Sequence, residues 1–463
     1  MPDIICVVRR WTPAIVATGL ACVPIALHHA TSPELLNDSD TSVLLQAIRQ
    51  RHSPFSWFAG DWPLQNHFYR PVATLAFEWD NRLYGNNPVG YGWTNAILCI
   101  LCVLLLLWFV RELTERPVFA GASAVLFASW QWAGIGSVSA LLDVAMWSLL
   151  AVGIWRHRGR VSLYLPLFFA IAFLQHEVVG RVSLDARMIG WLPGRTASVM
   201  SVFALISLAS YARYERLSAE RRASPPITPL TPPATRNTVI KADRTSGGAW
   251  VWILISALSL ALALASYEQA VMIPAALAVV AFSLSLQGLR PRWKLQILFG
   301  GVLVVYGLLR HAVVPSAPSG YQLQQFRHGP GVWLSLADYV LPFAGLIPSL
   351  SQAADPQLGL FVLVTPVVTG FFWQTVETIA AIWILRKQWI LCGTGWVLSW
   401  LTYSPMAWLK QFDHYHYLPL AMRSVFVVGL GWAVWEAAAI ASRPQARQAP
   451  KRLAPAPGSL ARP

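Results

Sequence analysis

Long apolar runs, separated by charged or polar breaks of unequal length, make up about half of the chain. They fall at 11–27, 93–110, 117–135, 138–155, 161–174, 191–211, 250–266, 271–286, 295–309, 360–385, 389–409 and 418–440. Each approaches the ~20 residues that a helix needs to cross a bilayer core. The pattern predicts an all-α membrane protein with about twelve transmembrane helices, since only helices satisfy their own backbone in lipid at this spacing. Arg9 and Arg10 precede the first run, as in a signal peptide, but no convincing small-x-small cleavage site follows, and many more spans do. The run therefore reads as a first membrane helix that stays attached.

Charge orients these helices. With Arg9 and Arg10 inside, the pair Arg111/Arg116, the cluster Arg156/Arg158/Arg160 and the segment 213–244 also fall inside. So do Arg290/Arg292/Lys294, Arg386/Lys387 and the tail with Arg443, Arg447, Lys451 and Arg452. A miscounted helix would send about half of them to the other side. The positive-inside bias then puts both termini in the cytoplasm, as in a multi-pass protein of a bacterial inner membrane. Its first partner is the lipid bilayer.

Composition agrees: 56% of residues are hydrophobic and 12% charged, against roughly a quarter charged in soluble domains. The net charge of +14 would suggest nucleic acid in a soluble chain. Here the cytoplasmic loops account for it, and no nucleic-acid partner is expected. Five cysteines, Cys6, Cys22, Cys99, Cys102 and Cys392, form no zinc pattern and read as buried thiols.

The expected organisation is an N-terminal membrane half, 1–217, with a large first periplasmic loop at 28–90. A Pro-rich stretch at 218–248 ("SPPITPLTPPATRNT") reads as a disordered cytoplasmic linker. A second membrane half, 249–441, and a disordered basic tail, 442–463, follow.

The same orientation gathers scarce ionisable residues on the outer side, where they are costly beside a bilayer and mark function. Asp38 and Asp40 bracket Ser39 in the first loop. They read either as a carboxylate pair able to take a proton from a hydroxyl or hold a divalent cation, or as a helix cap before 41–50. Arg195 in "WLPGRTASV" reads either as a phosphate ligand or as an interfacial arginine reaching for headgroups. Glu268 in "SYEQAVMIP" is a site residue or a turn residue. His176 and Glu177 in the loop 175–190, and Asp413 and His414 in the last outer turn, complete the supporting set. The 23 tryptophans read mostly as an interfacial belt.

The string "HFYRPVATLAFEWDNRLYGNNPVGYGWTNAILCILCVLLLL" (67–107) resembles a stretch of GT-C membrane glycosyltransferases. Among them are bacterial relatives of the protein O-mannosyltransferases and of the transmembrane mannosyltransferases that carry tetratricopeptide repeats. Matching positions are Tyr69-Arg70-Pro71, Gly85, Pro88, Gly90, Tyr91 and Asn95. Three later pieces follow in the family's order: Trp191, Gly194 and Arg195; Ser266, Glu268 and Pro274; and Tyr415, Tyr417, Leu418 and Pro419. The likeness spans about residues 30 to 430. The chain departs from the family at Gly92, Cys99, Ala197 and Tyr267, has Asp-Ser-Asp in place of adjacent acids, and has no repeat domain.

The resemblance implies hexosyl or pentosyl transfer from a polyprenyl-phosphate sugar donor at the outer face. It assigns acceptor activation or metal binding (Mg or Mn) to Asp38 and Asp40, and donor phosphate binding to Arg70 and Arg195. Two other readings remain. A transporter or lipid flippase would use Asp143 or Glu377 inside helices. An inactive GT-C-like scaffold would keep the fold alone.

Overall fold

A computed structural model describes residues 2–30, 35–51, 53–132, 161–179, 191–223, 248–327, 375–377, 379–386, 388–410 and 412–442, and isolated positions at 148, 151–153, 155, 332–333 and 336. Among the described residues the chain is helical, without a strand. The helices are α1 (Pro2–Ala30), α2 (Ser39–Gln50), α3 (Pro71–Tyr84), α4 (Pro88–Thr114), α5 (Pro117–Ser129), α6 (Val161–Val179) and α7 (Arg195–Ala223). There follow α8 (Ala249–Leu264), α9 (Ile273–Leu286), α10 (Leu295–Val313), α11 (Gly320–Gln325), α12 (Trp389–Tyr403) and α13 (Tyr417–Ser442).

Among the described residues, six helices are long and apolar enough to cross a bilayer: Arg10–His28, Pro88–Thr114, Leu192–Arg222, Glu268–Leu286, Leu295–Val313 and His414–Ala441. Pro117–Ser129, Val161–Leu174, Ala249–Leu264 and Thr375–Leu385 are apolar but shorter. This differs from the twelve runs read along the sequence, where hydropathy alone set the length. Most of the run 138–155, much of 360–385, most of 218–248 and nearly all of the tail lie outside the described residues. Helix α7 continues to Ala223, past the boundary expected at 217.

Helix α7 sits at the centre, packed against α4 and α8. Lipid gives little apolar drive for helices to associate, so small residues and hydrogen bonds hold such crossings. At the α7–α8 crossing, Ser207 Oγ donates to the Ser256 carbonyl and Ser256 Oγ to the Ser207 carbonyl, each at 2.9 Å. Helices α1, α4 and α5 pack mutually, and α12 lies along α13. Helix α10 turns Ile297, Val304, Val305 and Leu308 outward, an apolar face suited to lipid.

Helices α4 and α7 run in the same direction: Asn95 meets Arg195 at one end, and Glu112 meets Arg213 at the other. With 27 and 29 residues they separate the two ends by roughly 40 Å. The far end holds arginines that the sequence assigns to the inside. Arg216 pairs with Glu115 at 2.6 Å, Arg10 reaches the Glu115 carbonyl at 3.5 Å, and Arg292 bonds Tyr214 at 2.8 Å.

The first loop, expected as a polar stretch, is folded. It holds α2, a 3-10 turn at Pro54–Ala59 and α3 around a small core of its own. Leu44, Leu45 and Ile48 of α2 share that core with Trp57, Trp62 and Phe77, and with Tyr91 and Leu192 from the bundle.

Candidate functional site

A cavity of about 330 Å³ opens at the end of the bundle opposite the arginine clusters. Segments far apart in sequence build it. Asp40 lies at its rim, Trp62 and Arg70 come from the first loop, and Trp191 precedes α7. Tyr267 follows α8, Tyr321 lies in α11, and Phe412 and His414 precede α13. Aromatic side chains alternate in its wall with polar ones, Asp40, Gln65, Asn66, Arg70 and Ser319 among them, a mixture able to orient a small molecule.

Backbone bonds bring these segments together. Pro71 opens α3, and the amide of Val72, unpaired within its own helix, donates to the Ala265 carbonyl at 3.0 Å. That bond fixes Arg70 beside the turn that carries Tyr267 and Glu268. The Asp61 carboxylate accepts the amides of Trp62 (2.7 Å) and His67 (2.9 Å) and so shapes the loop leading to Arg70. Gln269 Nε2 donates to the carbonyls of Thr402 (2.8 Å) and Tyr415 (2.9 Å), tying the same turn to the segment bearing His414.

Arg70 is the cation of the cavity. Its Nε and Nη2 both approach Glu268 Oε2, at 2.8 and 2.7 Å, while Glu268 Oε1 is buried without a hydrogen-bond partner. The guanidinium carbon stands 4.2 Å from the Phe68 ring centre, 4.4 Å from Tyr267 and 5.5 Å from Trp62. Burial works against the cation, but Glu268 more than offsets this and holds the Arg70 pKa above its ordinary value. Burial also pushes the Tyr267 phenol well above its ordinary range, Tyr415 adds to that, and Arg70 pulls the other way.

Arg195 lies behind this wall and is 1% exposed, so it does not reach for headgroups. Its Nη1 meets Asp80 at 2.5 Å, Nε meets Asn95 Oδ1 at 2.5 Å, and Nη2 meets the Tyr91 carbonyl at 2.9 Å. The donor fork is turned onto protein acceptors. Several residues of the 67–107 string do structural work here. Gly85 ends α3 at φ +57, a conformation L side chains avoid. A Cβ on Gly90 would collide with the Tyr84 ring. Tyr91 and Asn95, four apart on one helix face, receive Arg195.

The two first-loop aspartates separate by role. Asp38 caps α2: its Oδ2 accepts the amides of Asp40 (3.0 Å) and Thr41 (3.2 Å). Asp40, exposed in the first turn, faces the cavity, with no side-chain partner among the described residues. With Asp38 turned onto backbone amides, and no group of three His, Cys, Asp or Glu assembled among the described residues, the pair does not fit a resident divalent cation. The side chains of His176, Glu177 and Asp413 lie outside the description, whereas His414 is buried in the cavity wall, its ring 5.0 Å from Trp191.

Sequence reasoning gave no site role to Trp62, Trp191, Tyr321 or Phe412, because hydropathy cannot tell a cavity wall from an interfacial belt. It also missed that Asp80 is the partner of Arg195. Comparison of the chain with protein-family models, curated proteins and solved structures finds no match.

Proposed function

We propose that this chain is a GT-C-type glycosyltransferase of a bacterial inner membrane. In this reading about twelve spans place both termini in the cytoplasm, and a sugar moves from a polyprenyl-phosphate donor to an acceptor hydroxyl at the outer face. The observation that carries the reading is the convergence of Asp40, Arg70 and His414 on one cavity. The gathering of arginines at the opposite end supports the orientation.

The chemistry assigns one role to each group. The acceptor hydroxyl oxygen attacks the anomeric carbon as the bond from that carbon to the phosphate oxygen breaks. Asp40 takes the hydroxyl proton. The polyprenyl phosphate leaves with the electron pair, and Arg70 offsets its charge inside a water-poor aromatic wall. Trp191, half-buried in the cavity wall, offers a flat face to a sugar ring, and the apolar bundle surface accommodates the prenyl tail. No metal enters these steps.

Transfer of labelled sugar from polyprenyl phosphate in membranes tests this. Asp40→Asn is expected to lower the rate roughly 100-fold or more. If Asp38→Asn and Asp40→Asn both leave transfer intact, the assignment is wrong. For the transport reading, Asp143 lies outside the described residues and Glu377 is buried, 7% exposed.

A further inference from the structure

We infer that Glu268 is a built-in competitor for the anion seat of Arg70, so that the site rejects free phosphate and opens only to a ligand with affinity elsewhere. This rests on the proposed function in one respect, that the ligand carries a phosphate.

Three observations point the same way. First, Arg70 presents its Nε–Nη2 edge to Glu268, with both bonds on one oxygen, Oε2, at 2.8 and 2.7 Å. That edge is the fork which matches phosphate oxygens. Second, Glu268 is anchored by that oxygen alone: Oε1 is buried and unpartnered. A buried acceptor without a donor is costly, so the carboxylate is only half satisfied where it stands. Third, Arg70 does not depend on Glu268 for its place. Phe68 and Tyr267 lie 4.2 and 4.4 Å from its guanidinium carbon, and Trp62 at 5.5 Å. Removing the carboxylate leaves a clamped, uncompensated cation facing the cavity.

At rest the seat is therefore electrically neutral, and the Asp40 carboxylate at the rim adds a negative charge. Small anions gain little there. A ligand whose tail and ring bind elsewhere can displace Glu268, and its apparent affinity falls by the fraction of time that the seat is open. Glu268 thus sets selectivity, and Arg70 makes the contact.

The test is calorimetric titration of farnesyl phosphate, farnesol and inorganic phosphate into the full chain in detergent. Glu268→Gln is expected to bind farnesyl phosphate about tenfold more tightly than the unmodified chain and to gain measurable affinity for inorganic phosphate. Farnesol affinity should be unchanged, and Arg70→Ala added to Glu268→Gln should erase the gain. No gain in Glu268→Gln, or a gain that survives Arg70→Ala, overturns the inference. Should Glu268→Gln fail to fold, the unmodified chain decides by infrared difference spectroscopy with labelled glutamate. Farnesyl phosphate must then shift a carboxylate band, and an unmoved spectrum overturns the inference. Sugar transfer is not read in either assay, so failure here is separate from failure of the proposed function.

Discussion

Arg195 and Asp80 are separated by 115 positions in sequence and by 2.5 Å in space, with side-chain exposures of 0% and 2%. The pair joins the start of α7 to α3, and so fixes the folded first loop on the bundle. Charges withdrawn this far from water are tolerated only as partners.

Removing one partner therefore strands the other. Asp80→Ala is expected to destabilise the protein by about 3–5 kcal/mol. Arg195→Met combined with Asp80→Leu should be less harmful than Asp80→Ala alone. Thermal unfolding in detergent checks both, and equal losses in the two would show that the pair is not a coupled unit.

Asp38 and Asp40 should separate by substitution. Asp38→Ser keeps a capping oxygen and should retain sugar transfer, whereas Asp38→Ala should lose about 1 kcal/mol of stability. Asp40→Asn should leave the melting temperature unchanged and remove transfer. Assaying the two properties side by side distinguishes a cap from a base.

Gly90 is a packing requirement. Gly90→Ala drives a methyl group into the Tyr84 ring and should cost about 1–3 kcal/mol. Placing Gly90→Ala in a Tyr84→Ala background should cost far less. The comparison is a double-mutant cycle read by thermal unfolding.

Tyr267 gives a pH signature. Its folded pKa is raised well above the usual value by burial, so the folded state keeps a proton that the unfolded state releases above pH ~10. Stability should be full below that pH and fall as pH rises beyond it, by at most ~1.4 kcal/mol per unit for this group. Tyr267→Phe should flatten that part of the alkaline slope. An identical slope in the variant would assign the effect to other tyrosines.

Much of the helical framework was legible because apolar runs are local. The runs at 93–110, 191–211, 271–286, 295–309 and 418–440 lie on α4, α7, α9, α10 and α13. Helix α3 was not legible. Its "PVATLAFEWDNRLY" mixes apolar residues with Glu78 and Asp80, which local reasoning sends to water. Both are buried because their partners come from elsewhere: Trp57 donates to Glu78 at 2.6 Å, and Arg195 meets Asp80. Arg195 reads from sequence as a phosphate or headgroup ligand, since a pairing across 115 positions leaves no trace in spacing. The Asp-Ser-Asp string was visible, yet only the direction of α2 shows which carboxylate is turned onto the backbone.

The small core beneath α2 and α3 has a consequence for engineering. Tyr91 and Leu192 belong to the membrane bundle, yet they complete the interior of the first loop. A transplant of residues 28–90 onto another membrane scaffold would arrive without part of its own hydrophobic interior. The loop is not a detachable module, and its carboxylate travels only with the bundle beneath it.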